Sequence, residues 1–247
     1  MDFFSLVRSR HMVRSFRTQP LDPALVGQLV EAALRAPTAG NTRGTAWLVL
    51  SAPPDRARYW DLATTPDWRA TSRRWPGLAR APVLALSLTS PHLYRARYRE
   101  PDKAASGLGG SAPQSTAGAQ GAWGAVGKEG VVGDESTVGD EPWPVPYWFG
   151  DAAFSTMVLL LGATQAGIAS CFLGAFRAGQ PILDAFGVPQ GWRLFGTVLL
   201  GHPDGQDRPS GSLDRPPPSG PRAHLGAWGV PLVSPGTSTA PDPPTPA

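Results

Sequence analysis

The sequence predicts an α/β or α+β sandwich in which helices cover one sheet, and three observations point to it. Apolar runs of strand length recur at 46–50, 81–88, 169–173 and 195–201. Stretches with the 3.6-residue apolar period of helices separate them. The chain, at 247 residues, is long enough to bury roughly 70% of its unfolded surface in one domain. Strands and helices alternating over such a length bury their apolar faces against each other in layers.

A short first helix is expected over 3–8. Asp22 then offers an N-cap and Pro23 a first helical residue. Leu25, Val26, Leu29, Val30, Ala33 and Leu34 follow on one helical face, which stops by Pro37. The run 46–50 reads as a buried strand, 54–63 as a short amphipathic helix and 81–88 as a second buried strand. Between 106 and 142 the composition shifts to Gly, Ala, Ser, Thr and acidic residues, and Val132-Gly133-Asp134-Glu135 recurs as Val138-Gly139-Asp140-Glu141. This predicts a mobile low-complexity insertion. Order resumes at 143–148, where Asp151 is expected to cap a long helix running to about Ala166 and ended by Gly167 as a left-handed C-cap. Because that helix is apolar all round, it is expected to lie buried at the centre. Strands near 169–173 and 195–201 follow, with a short helix over 181–186 between them. The domain is expected to span 1–229, and the Pro-, Ser- and Thr-rich 230–247 to form a disordered tail.

Composition narrows the function classes. Charged residues make up only 17% of the chain, whereas 29 Gly and 28 Pro account for the loops and tail. Cys171 is the single cysteine, so no internal disulfide forms and a reducing compartment fits. No apolar run reaches membrane-spanning length and the first residues lack a signal-peptide core, so a cytoplasmic location is expected. The pI near 9.4 accompanies a net charge of only +3 from scattered arginines. That pattern suits small anionic ligands as well as nucleic acid, and no recognised nucleic-acid reader is present. The histidines 11, 92, 202 and 224 are dispersed and no Cys or His pair has ligand spacing, so no metal is expected. No G-x-S-x-G, Walker lysine or dinucleotide G-x-G-x-x-G occurs in its required setting; Gly107-Leu108-Gly109-Gly110 lies in the insertion.

Two segments carry chemistry. Arg10-His11-Met12-Val13-Arg14-Ser15-Phe16 puts three potential cations within five residues. Guanidinium groups bind phosphate oxygens through paired charge-assisted hydrogen bonds, while a charge run taken alone is commonly a solvated surface turn. Both readings stay open on this segment by itself. The second segment, Ala36-Pro37-Thr38-Ala39-Gly40-Asn41-Thr42-Arg43-Gly44, stands between a helix and a strand. Cys171 reads as a packed small hydrophobe. Trp143, Tyr147, Trp148 and Phe149 read as packing residues, with stacking on an aromatic substrate as the sharper alternative.

The order of the R-x-x-x-R motif, an amphipathic helix, the APTAGN turn and a strand resembles the amino-terminal pattern of the nitroreductase family. Gly167-Ile168-Ala169-Ser170-Cys171-Phe172-Leu173-Gly174 resembles its flavin loop, and Gly201-His202-Pro203 the motif that closes its last core strand. The resemblance covers about 3–203. It implies an α+β fold with a mostly antiparallel sheet covered by helices, FMN as cofactor, NAD(P)H as electron donor, and a homodimer with the flavin at the interface. Carried over by position, Arg10 binds the FMN phosphate, His11 and Met12 line the phosphate and ribityl region, and Arg14 approaches the pyrimidine edge. Pro37, Thr38, Asn41 and Arg43 come from the partner subunit. Leu173 and Gly174 offer backbone N–H groups to the flavin N5 and O4. Arg215 is the best match to a second phosphate ligand, with Arg208 and Arg222 as competitors. Met12 stands where the family often has Ser, and Arg43 where Gln is common. The implied activity passes electrons by a ping-pong mechanism to a nitroaromatic compound, a quinone or a similar conjugated acceptor. A non-catalytic flavin-sequestering protein and a flavin destructase are the alternatives, although the arginine-arginine-aspartate start of the latter is not seen at Arg10-His11-Met12.

Overall fold

A computed structural model describes residues 1–109, 143, 145–174, 179–207, 216 and 219–232. The chain divides into two compact units, Met1–Asp207 and Arg208–Ala247. The predicted helices and strands of the first unit all form, several with ends shifted by one or two residues. Asp2 caps α1 (Phe3–Ser9), and the Asp22 carboxylate accepts from Ala24 N–H at the start of α2 (Pro23–Leu34). Then come β1 (Thr45–Leu50), α3 (Pro53–Ala63), α4 (Pro66–Thr71), α5 (Trp75–Leu78), β2 (Val83–Thr89) and α6 (Pro91–Arg97). After the insertion, α7 (Tyr147–Gln165) leads to β3 (Ala169–Gly174), α8 (Gly179–Ala185) and β4 (Arg193–Gly201). Gly167 ends α7 with φ +68°, a left-handed conformation that glycine adopts without a steric penalty. Most of the insertion, 110–142, lies outside the described residues.

The strands form one antiparallel sheet in the order β1-β2-β4-β3, in register with Thr45 opposite Thr89, Val83 opposite Leu200 and Ala169 opposite Gly201. The alternation of a strand sends Leu84, Leu86 and Leu199 to a core with α3, α5 and α8. Val83, Ala85, Val198 and Leu200 go to a second core with α2 and α7. Every residue of β2 is buried, because this strand is central and covered on both faces.

Three expectations need correction. The strand at 46–50 is only half-buried, because β1 is an edge strand with a neighbour on one side. Asp151 does not cap the long helix: α7 begins four residues earlier, behind Pro146, and the carboxylate is buried inside the element. That helix is not buried all round either. It lays Leu159, Leu160 and Ala163 on the sheet and leaves Phe154 54% and Met157 39% exposed. One sheet face can cover only one side of a helix, however apolar the other side is.

In the second unit, Leu225 N–H donates to Val230 O (2.8 Å) and Leu232 N–H to Ala223 O (2.9 Å), closing a turn in which the His224 and Trp228 rings stack 4.0 Å apart. The expected tail thus begins within a hydrogen-bonded turn, and 233–247 lie outside the described residues.

Candidate functional site

Phe16 and Val13 anchor the basic stretch because both are apolar and buried, at 0% and 6% exposure. Val13 N–H donates to Ser170 O and Arg17 N–H to His202 O, both at 2.9 Å, and Phe16 forms an antiparallel bridge with Pro203. Residues 10–16 therefore run along the outer edge of β3 and across the end of β4. The Met12 sulfur accepts from Phe172 N–H at 3.3 Å, so a thioether occupies part of this edge.

Arg10 closes α1, its N–H donating to Leu6 O (3.1 Å), and its side chain carries a buried Nη1 without an acceptor. An unsatisfied buried donor of this kind is unfavourable by about 1–3 kcal/mol and points to a missing acceptor. His11 is exposed, with Nδ1 2.9 Å from Ser9 O, a contact that requires the proton on Nδ1. The Arg14 guanidinium reaches the Met12 carbonyl at 3.2 Å, and its backbone N–H donates to Asp207 (3.0 Å). Next to it Ser15 donates to Asp204 (2.7 Å), and Arg80 pairs with the same carboxylate. Burial raises the Asp204 carboxyl, but the Ser15 hydroxyl, the Gln206 N–H and the Arg80 guanidinium outweigh it and hold it below the usual carboxylate range. Sequence reasoning missed Asp204, Asp207 and Arg80, and no motif marks them.

Leu173 and Gly174 end β3. Since Ser170 O and Phe172 N–H point away from β4, the two-residue repeat directs Gly174 N–H to the same free edge and Leu173 N–H toward β4. Phe172, Leu173 and Gly174 line one side of a cavity of about 530 Å³ whose other walls include Tyr59, Trp60, Trp68 and Leu78. Trp75 braces this wall, its ring 5.2 Å from Trp60 and 5.9 Å from Trp68 in edge-to-face contacts.

The 36–44 segment folds as a 3-10 turn over Ala39–Asn41, with left-handed backbone at Gly40, Asn41 and Arg43. Thr38 Oγ1 accepts from Arg43 N–H (2.9 Å), while Pro37, Asn41 and Arg43 are exposed. Arg215 and Arg208 lie outside the described residues, and Arg222 belongs to the second unit. Trp143 and Trp148 are buried packing residues around Tyr94.

Cys171, on the inner side of β3, is 1% exposed. Burial pushes its thiol up to about 11, against the weaker opposing pull of Arg14 and Arg74. At pH 8 only about one thiol in a thousand is then ionised, and the thiolate is the reactive form. Iodoacetamide should label native protein far more slowly than urea-unfolded protein; equal rates would show that the thiol is accessible and ionised.

A family model described as the nitroreductase family matches residues 7–131. Among solved structures, a nitroreductase family protein from Streptococcus pneumoniae aligns at 19% identity and TM-score 0.58, over 85% of this chain and 94% of that one. A nitroreductase family protein from Clostridium novyi aligns at 16% identity and TM-score 0.55, over 85% and 89%. An FMN-dependent nitroreductase from Clostridium difficile aligns at 14% identity and TM-score 0.53, over 86% and 94%. Likeness at these identities is likeness of fold.

Proposed function

Because the chain belongs to the nitroreductase family, whose members are generally oxidoreductases, we propose that it is an FMN-dependent enzyme working as a homodimer. The observation that carries this reading is the free β3 edge: the 10–16 stretch lies along it through Met12 and Val13, Gly174 N–H is directed to it, and Arg10 of that stretch has an unsatisfied guanidinium N–H. These residues fit an anionic phosphate joined to a flat, hydrogen-bonding ring. When bound, FMN supplies the redox chemistry, taking two electrons from NAD(P)H and passing them to a nitroaromatic compound, a quinone or a similar conjugated acceptor.

The chain's own part is to bind and to orient. Arg10 holds the phosphate through charge-assisted hydrogen bonds, with His11 and Met12 beside it. Arg14 places positive charge where the reduced ring gathers negative charge, and so favours reduction. Gly174 donates a backbone N–H to the ring edge while Leu173 fills space beside it. The aromatic wall of Trp60 and Trp68 gives a flat acceptor a surface and keeps water away. Arg215 is the proposed second phosphate ligand. Pro37, Thr38, Asn41 and Arg43 come from the partner subunit in this reading. Exposed Phe3 and Phe4 on α1, Leu34 on α2 and Phe154 on α7 support self-association, since they lie on three helices packed together. No helix among the described residues is long and apolar enough to cross a membrane, and a cytoplasmic location goes with the reading.

The test is an absorbance spectrum of the protein mixed with FMN, followed by titration with NADH and with NADPH. The expected result is a bound flavin that the nucleotide bleaches and a quinone or nitroarene restores, with parallel-line ping-pong kinetics. Failure to bind FMN would overturn the proposal. A flavin that is reduced but is reoxidised only at the oxygen rate would favour a sequestering protein.

A further inference from the structure

Asp151 is a carboxylate buried to 3% exposure inside α7, and no ion pair of the described residues includes it. One oxygen, Oδ2, accepts two hydrogen bonds, from Ala39 N–H and from the Tyr94 hydroxyl, both at 2.7 Å. Burying an unpaired carboxylate is unfavourable unless strong donors replace its water. Its placement here needs a reason, and the turn it grips supplies one.

Gly40, Asn41 and Arg43 have φ of +62°, +53° and +54°. Non-glycine residues seldom hold such angles, and they persist only where surrounding contacts over-determine them. Those contacts converge from α6 and α7. Arg97 Nε donates to Gly40 O (2.9 Å). The Tyr94 ring lies where a Cβ on Gly44 would come within 2.4 Å of it. Asp151 binds the turn's first backbone N–H and the same tyrosine at once.

We propose that Asp151 is the positioning residue of this turn, its Oδ2 fastening Ala39 and Tyr94 together so that Thr38, Asn41 and Arg43 are held ready for a ligand. That the ligand is the flavin of a partner subunit rests on the function proposed above; the positioning role does not. Burial, and after it the Asp151 carboxylate, push the Tyr94 hydroxyl well above the ordinary tyrosine range, so it remains a donor throughout the accessible pH range.

Hydrogen exchange read by mass spectrometry on FMN-free protein tests the role. In Asp151→Ala, which loses both charge-assisted hydrogen bonds that Oδ2 accepts, exchange across 38–44 should rise by at least about tenfold, while β2 and β4 keep their protection. Asp151→Asn retains an oxygen that can accept both bonds and should restore exchange to within about threefold of the native rate. Should Asp151→Ala fail to fold, Tyr94→Phe removes one donor and should give a smaller local rise. Unchanged exchange at 38–44 in the folded variant overturns the positioning role, as does a rise spread equally over the sheet.

FMN titration separates the two claims. A local rise in exchange together with about tenfold weaker FMN binding supports both. A local rise in a protein that never binds FMN leaves the positioning role standing and removes the flavin reading. Native FMN affinity and native exchange in Asp151→Ala remove the positioning role alone.

Discussion

Arg10→Ala should raise the FMN dissociation constant about a hundredfold, since hydrogen bonds to a charged group contribute roughly 1.5–3 kcal/mol and each 1.4 kcal/mol is tenfold. The side chain stands where the chain leaves α1 for the β3 edge, and its Nη1 is a buried cationic donor without an acceptor. Arg10→Lys keeps the charge and loses the planar fork, so its affinity should fall between the two. Fluorescence quenching of free FMN measures both. The FMN-free melting temperature should barely move, because the Arg10 side chain makes no hydrogen bond among the described residues. An Arg10→Ala protein that binds FMN with native affinity would take Arg10 out of the phosphate role.

Leu199→Ala should be the most damaging of the core truncations. Leu199 is fully buried on β4, a central strand, within the core beneath α3 and α8. Leu-to-Ala changes at such sites remove about 2–5 kcal/mol, since the lost transfer energy adds to an unfilled cavity. For a chain of this size a loss of ~3 kcal/mol lowers the melting temperature by about 6–12 °C. Leu93→Ala on α6, at 38% exposure, is the control and should shift it little. Urea unfolding of the two variants side by side decides the matter. If they lose similar stability, the two-faced packing of the sheet is wrong.

The element order could be read because each signal is local. Asp22 and Pro23 start α2 whatever surrounds them, Gly167 stops α7 by its own backbone freedom, and the run of β2, apolar but for Ser87 and Thr89, records two covered faces. The resemblance to nitroreductases rested on the same kind of information, short motifs in fixed order, and the family match and shared fold agree with it. The basic stretch could be named from its residue types. That it lies along β3 could not, because the hydrogen bonds placing it join Val13 to Ser170 and Arg17 to His202, far apart in the chain.

The sequence by itself determined where helices and strands fall, which residues are cationic and which family pattern they follow. Strand order, the exposed side of α7 and the long-range partners of the basic stretch were decided only by tertiary structure. Periodicity reports that a helix has apolar residues, and the sheet decides which of them it can cover; hence Phe154 stays in solvent while Leu159 does not. The Asp151 correction has the same cause. Ahead of a long apolar run an acidic residue reads as a cap, because capping needs only neighbours in the chain. Its partners, Ala39 and Tyr94, stand 112 and 57 residues away, and no local signal can report them.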